Sequence, residues 1–200
     1  MSHKPIFTSI YENKVWGDNN NPDYNGSSGG GSEVDYNLAY TTFLRKFIVD
    51  KKIKVIMDLG CGDFKCGKEI YDGLNITYFG YDAYDKLVQH NRLTFPGYNF
   101  ICKDIYNERE NLLPGDLCIL KDILQHWSLD CIYIFLDYII AEKVYDYILV
   151  VNCSDQTEDD TNITTGGGRP LSCDYMPLKK YGFKKLFNYN TKEVSLLKIE

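Results

Sequence analysis

Apolar residues settle into a regular period only after the first thirty or so positions. Residues 17–32 are crowded with Gly, Ser and Asn and read as a loop. From residue 33 the pattern changes. Val34, Leu38, Thr42, Phe43, Phe47 and Ile48 recur at helical spacing, which predicts a helix over 33–51. Beyond it, apolar runs of strand length alternate with helical patterns. Strands are expected at 54–59, 76–81, 98–102, 116–120 and 147–152, and helices at 65–73, 84–93 and 129–142. A polar stretch over 153–176 leads to two last apolar runs, 183–189 and 194–199, around a turn at Asn190 and Thr191.

Strand–helix alternation implies right-handed crossovers and a parallel sheet. The last two strands are joined by a tight turn and must run antiparallel. The expected fold class is therefore α/β: a Rossmann-like sheet of seven strands, mostly parallel, with a C-terminal antiparallel hairpin and helices on both faces. With 200 residues, 44% of them hydrophobic, the chain can fill one core. One domain is expected over 33–200, preceded by an N-terminal arm over 1–32. The net charge of −6 argues against nucleic acid as partner, because phosphate neutralisation supplies most of such binding. Lys179, Lys180, Lys184 and Lys185 form the one dense basic group and read as a solvated strand entrance. The 7 cysteines include no Cys-x-x-Cys pair, so neither a zinc site nor a disulfide framework is expected. Residues 1–10 lack an apolar signal core, and no run is long and apolar enough to span a membrane. These features point to a reducing, cytoplasmic setting.

In open α/β sheets, ligands bind beyond the carboxyl ends of the strands. Here those ends carry Asp58 to Asp63, then Asp82, Asp104, and Lys121 with Asp122. Gly60 and Gly62 allow a tight turn and a close approach of backbone to ligand. No third glycine follows in dinucleotide register. A carboxylate at Asp82 can accept both hydroxyls of a ribose. The segment VIMDLGCGDF resembles the glycine motif of class I S-adenosylmethionine-dependent methyltransferases. That resemblance implies S-adenosyl-L-methionine as cofactor, cradled by Gly60, Cys61 and Gly62. It implies that Asp58 helps to fix the methionine amino group, that Asp104 meets the adenine amino group, and that Ile105 packs on the ring. Ala83, beside Asp82, and Lys121, at the fourth strand end, join the expected cofactor contacts.

The fourth strand runs into KDILQHW rather than the Asn/Asp-Pro-Pro-Tyr of many amino-group methyltransferases. Asp122 and His126 stand at helical spacing, so a helical turn would put them on one face. His126 could then take the proton of a hydroxyl nucleophile, with Asp122 orienting the ring. A longer resemblance is to a bacterial and giant-virus group of methyltransferases associated with surface-polysaccharide gene sets. It rests on Tyr11 to Gly17 as Tyr-x-x-x-x-Trp-Gly, the Ser/Gly stretch from Gly26 to Ser32, Cys61 to Phe64, Lys121 to His126, Asn162, and Gly167 to Leu171. The Trp-Asn that the group carries after Asp-Phe is absent, with Lys65-Cys66 in its place, and Gly168 replaces its Trp before Arg-Pro. The resemblance implies that the arm is a lid whose Tyr11 and Trp16 cover the cofactor. It also implies that Asn162 and Arg169 lie by the acceptor, where Arg169 could hold a phosphate or carboxylate. Asp155, Asp159 and Asp160 could hold a divalent ion but read as a hydrated acidic loop, so no metal is expected. The function expected is methylation of a hydroxyl on a sugar, nucleotide sugar or other small molecule. The alternatives are a methyltransferase of protein or RNA, or a non-catalytic cofactor-binding scaffold.

Overall fold

The structure is a computed structural model and describes residues 2–199. Five strands run parallel: β1 (Val55–Leu59), β2 (Thr77–Asp82), β3 (Asn99–Cys102), β4 (Gly115–Lys121) and β5 (Tyr145–Cys153). Two more, β6 (Lys184–Tyr189) and β7 (Lys192–Lys198), form the closing hairpin, with β7 inserted antiparallel beside β5. The sheet order is β3-β2-β1-β4-β5-β7-β6. The chain thus winds outward from β1 to β3 and returns to β4 on the other side of β1. This leaves a crevice at the carboxyl ends of β1 and β4, the switch point where such sheets bind ligands.

Alternating strand residues feed two cores. On one face Met57, Leu59, Cys118, Leu120, Ile148 and Val150 pack with Ile132, Phe135, Leu136 and Ile139 of α5 (Leu129–Ala141). On the other, Ile56, Leu117, Ile119, Leu149 and Val151 pack with Leu44, Phe47 and Ile48 of α2 (Leu38–Lys51). Each such apolar side chain contributes roughly 1.5–3 kcal/mol when fully buried. The central strands are apolar on both sides because both sides are covered.

The expected strands match the observed ones within a residue or two at the ends, and the parallel sheet closes with the expected antiparallel hairpin. The helices differ more. The expected helix over 33–51 begins at Leu38, after short 3-10 turns at Gly30–Ser32 and Asp35–Asn37. The one over 65–73 shrinks to α3 (Gly67–Tyr71), because Phe64 takes φ +55 and its ring lies where a side chain at residue 67 would start. The helix over 84–93 is α4 (Asp85–Thr94). The arm carries a further helix, α1 (Lys4–Glu12), opened by Pro5 in its first turn. Of the expected basic group, Lys180 pairs with Asp137 and Lys185 with Asp174 and Glu193. No helix among the described residues is long and apolar enough to cross a membrane.

Candidate active site

At the end of β1 the chain turns sharply through Gly60 (φ +84) and Gly62 (φ +56). The amides of Gly60 and Cys61 donate to the Tyr81 carbonyl at 2.7 and 2.9 Å, so the turn folds onto the end of β2. Gly62 N donates to Asp82 Oδ2 at 3.1 Å, and Asn91 Nδ2 donates to the Gly62 carbonyl at 2.8 Å. A Cβ at Gly60 would overlap the Ile123 side chain, and one at Gly62 would run into Ser28. The turn is therefore closed by neighbouring protein as well as open to a cavity of about 260 Å³.

Asp58 of β1, whose register partner on β2 is Gly80, and Asp82 at the end of β2 both line this cavity. Burial pushes the Asp58 carboxyl up to about 6, although the Tyr78 hydroxyl donates to it at 2.8 Å. Burial likewise pushes Asp82 up to about 6, against the backbone amides of Tyr84 and Gly62 that donate to it. Ala83, Cys61, Ile105 and Lys121 line the same cavity.

The arm closes the cavity from above. Tyr11 is buried, stacked on Tyr84 at 4.9 Å, with its hydroxyl 3.0 Å from Ser28 Oγ. Ser28 Oγ also accepts from Asp63 N at 2.9 Å, pinning the arm to the glycine turn. Trp16 sits edge-on to Tyr11 and 5.0 Å from the His126 ring. At the far end Asp104 has a partner that the sequence did not suggest. Its Oδ2 accepts from Ser2 Oγ at 2.7 Å, His3 N at 2.8 Å and Lys4 N at 3.1 Å, the open N–H groups at the start of α1. Burial alone would raise its carboxyl. The donors Ser2, Asn107, Lys4 and His3 outweigh that and hold it below the ordinary value. Asp104 lines the cavity, as expected of a residue that meets the cofactor's base, and it also anchors the arm.

The Asp122–His126 pair is corrected. Asp122 takes φ +59, which breaks the helical spacing, and 3-10 structure spans only Leu124–His126. The Asp122 carboxylate lies between Lys121 Nζ, at 2.8 Å, and Lys192 Nζ. Burial acts to raise it, but the two lysines hold it below the usual carboxylate value. His126 is oriented instead by Gly167, whose carbonyl lies 2.6 Å from Nδ1. A proton on Nδ1 satisfies that carbonyl and leaves Nε2 as the basic atom, 3.3 Å from Gln125 Nε2. Burial lowers the His126 pKa below its ordinary value, outweighing the Gly167 bond and the Asp122 charge.

Asn162 is exposed, and its Oδ1 accepts from Leu129 N at 3.0 Å. It holds the first turn of α5 and does not line the cavity. Arg169 does not line the cavity either. Its amide donates to the Gln125 carbonyl at 3.1 Å, one layer behind the wall. Asp159 and Asp160 accept from Met176 N and the Tyr133 hydroxyl. Among the described residues, no three His, Cys, Asp or Glu side chains group as a metal site. Sequence reasoning missed His3, Ser28, Gln125 and Lys192, all of which line the cavity. Lys192 opens β7 and is 5% exposed, and the expected strand started two residues later. Nothing in a lysine codon position announces burial, because the default for that side chain is a solvated one.

No family model and no curated protein sequence matches the chain. Solved structures do. Over 96% of this chain and 97% of the other, it superposes on the N-methyltransferase NodS from Bradyrhizobium japonicum WM9, solved with S-adenosyl-L-homocysteine, with TM-score 0.67 and 8% identity. The magnesium protoporphyrin IX methyltransferase of Synechocystis PCC 6803, solved with S-adenosylmethionine, gives TM-score 0.60 at 12% identity over 98% and 96% of the two chains. An O-methyltransferase family protein from Burkholderia thailandensis gives 0.61 at 11% identity, covering 81% of this chain and 55% of that one. The fold is that of class I methyltransferases. The chain spans about half the length of the Burkholderia protein and of human N-acetylserotonin methyltransferase, of which it covers 55%.

Proposed function

We propose that this protein is an S-adenosylmethionine-dependent methyltransferase acting on a hydroxyl group of a small molecule, a sugar or nucleotide sugar. The reading rests on one observation above others: two recessed carboxylates, Asp58 and Asp82, flank a positive-φ glycine turn at the switch point of this fold. Each is pushed up to about 6 by burial. A ligand that brings an ammonium to Asp58 and a ribose diol to Asp82 adds charge-assisted partners to the few donors that these carboxylates already have. Ile105 and the His3 ring, at the Asp104 end, offer flat apolar surface for a base. Lys121 and Lys192 offer cations for a carboxylate at the other end.

When bound, S-adenosylmethionine supplies an electrophilic methyl group on a sulfonium sulfur, whose transfer breaks the C–S bond and leaves the neutral thioether. The protein's share is position, exclusion of water and handling of one proton. Tyr11 and Trp16 cover the cavity. His126 Nε2 takes the acceptor's hydroxyl proton as the new O–C bond forms and later releases it to solvent.

Two outcomes test the cofactor half. Asp82→Ala is expected to weaken S-adenosylhomocysteine binding at least about tenfold, as loss of charge-assisted hydrogen bonds is typically worth ~1.5–3 kcal/mol. Unchanged calorimetric affinity in a variant that melts like the parent removes Asp82 from the ribose role. The second outcome is a pH dependence. The free-protein carboxyls protonate at about 6, whereas a bound ammonium or diol favours the ionised form. Affinity should therefore fall as pH drops through that value, by about tenfold per carboxylate at one pH unit below it. A flat profile would mean that neither acid meets the ligand.

A further inference from the structure

Arg169 is 6% exposed, and its Nε, Nη1 and Nη2 have no hydrogen-bond partner among the described residues. Burial lowers the guanidinium only to about 10, so it is charged at neutral pH. Other arginines in this fold find acceptors: Arg45 Nη1 donates to the carbonyls of Ile70 and Asp72, and Arg92 Nε to that of Phe100. A planar fork of five N–H donors, desolvated and unpaired, is a site made for an acceptor that comes from outside the chain.

A second orphan lies on the same side. Asn152, at the end of β5, is 1% exposed, and both Nδ2 and Oδ1 lack partners among the described residues. Strand alternation puts its side chain on the face of Ile148 and Val150, where Leu171 also packs. The segment bearing Arg169 is tied to that strand end. Leu171 N donates to the Cys153 carbonyl at 2.8 Å, and Cys153 N donates to Gln125 Oε1 at 2.9 Å. Gln125 and His126 form the adjoining cavity wall. The ring of His126 lies 3.7 Å from where a Cβ on Gly168 would stand, and the Arg169 charge acts to lower the His126 pKa.

We propose that the Arg169 guanidinium is an oxyanion subsite directly behind the Gln125–His126 wall, and that the methyl acceptor carries a carboxylate or phosphate that reaches it there. This rests on the methyl-transfer reading above. The anion fixes the acceptor with its hydroxyl toward His126. The chain's net charge of −6 repels anions in general, which confines their binding to a local cationic fork.

The test is calorimetric titration of the full chain, free and saturated with S-adenosylhomocysteine, using inorganic phosphate, acetate and glucose. The expected result is saturable binding of phosphate or acetate and none of glucose. Preference between the two anions sorts phosphate-bearing from carboxylate-bearing acceptors. Arg169→Met should weaken anion binding at least about tenfold. It should leave S-adenosylhomocysteine affinity within about twofold, with no loss of Tm, since it removes an unpaired buried charge. No saturable anion binding in the parent, or undiminished binding in the variant, overturns the subsite. So does a lowered Tm with unchanged anion binding, which would make Arg169 a packing residue. A variant that does not fold leaves the parent crystal soaked in selenate as the deciding measurement. An anomalous peak at hydrogen-bond distance from the guanidinium supports the subsite, and no peak there overturns it. Failure of S-adenosylhomocysteine to bind would strike the methyl-transfer reading separately, because the anion titration is also read on the free protein.

Discussion

Gly60→Val is expected to abolish S-adenosylhomocysteine binding. Gly60 holds φ +84, a region that a β-branched residue occupies only under strain, at a cost of roughly 1–3 kcal/mol. Its Cβ would also overlap the Ile123 side chain. The Ile123 side chain can turn away only into the cavity that it lines. It follows Asp122, which two lysines grip, and precedes the turn that carries His126. The strain would therefore be relieved by moving the Gly60–Gly62 turn, which carries the amide bonded to Asp82. Two of the cavity's walls would shift together. The sheet has separate support in two cores, so the variant should keep a cooperative melt at reduced Tm. Gly60→Ala, with the same φ problem but a smaller clash, should fall between parent and valine. A folded valine variant that binds the ligand within threefold of the parent would show that the turn is not the cradle.

The strands were legible because β1, β4 and β5 are buried on both faces. That demands continuous apolar runs, and each ends abruptly in Gly, Lys-Asp or Asn-Cys. The acids at the strand ends were legible for the same reason: their positions follow from the sheet, and all of Asp58, Asp82 and Asp104 line one cavity. Their partners were not legible. Asp104 meets Ser2, His3 and Lys4 across about a hundred residues of chain, a pairing that no local period encodes. Helix α1 escaped notice because its nine residues are too few to hold a helix alone, and docking on Asp104 supplies what propensity does not.

The Asp122–His126 error has a sharper cause. The i, i+4 rule assumes continuous helical backbone, and one residue at positive φ voids it. Arg169 illustrates the reverse limit. Its type suggested an anion partner, but only the structure shows that the guanidinium is buried and unpaired. Asn162 shows the same limit: a capping asparagine and a ligand-binding one have the same side chain, and only the structure shows that its Oδ1 accepts from Leu129 N.

His126→Ala is expected to lower kcat by about 10²-fold or more while leaving S-adenosylhomocysteine affinity within about twofold. The imidazole is held in one tautomer: Nδ1 donates to the Gly167 carbonyl, so Nε2 carries the lone pair. Trp16 lies against the ring, with centroids 5.0 Å apart. Burial keeps its pKa below the ordinary histidine value, so the neutral, basic form dominates at pH 7. In the parent enzyme kcat should therefore rise with pH through one ionisation below about 6.5 and level off near neutrality. The alanine variant should lose that step. Asp58 and Asp82 are also pushed up to about 6, but in the proposed reading they act on affinity, so saturating cofactor separates the two effects in kcat. The proton matters only if the acceptor is a hydroxyl, since an alcohol must lose it as the methyl arrives. An acceptor atom that is already anionic needs no base. A variant with near-parental kcat and an unchanged pH profile would remove His126 from the chemistry and make the reacting atom itself an oxyanion.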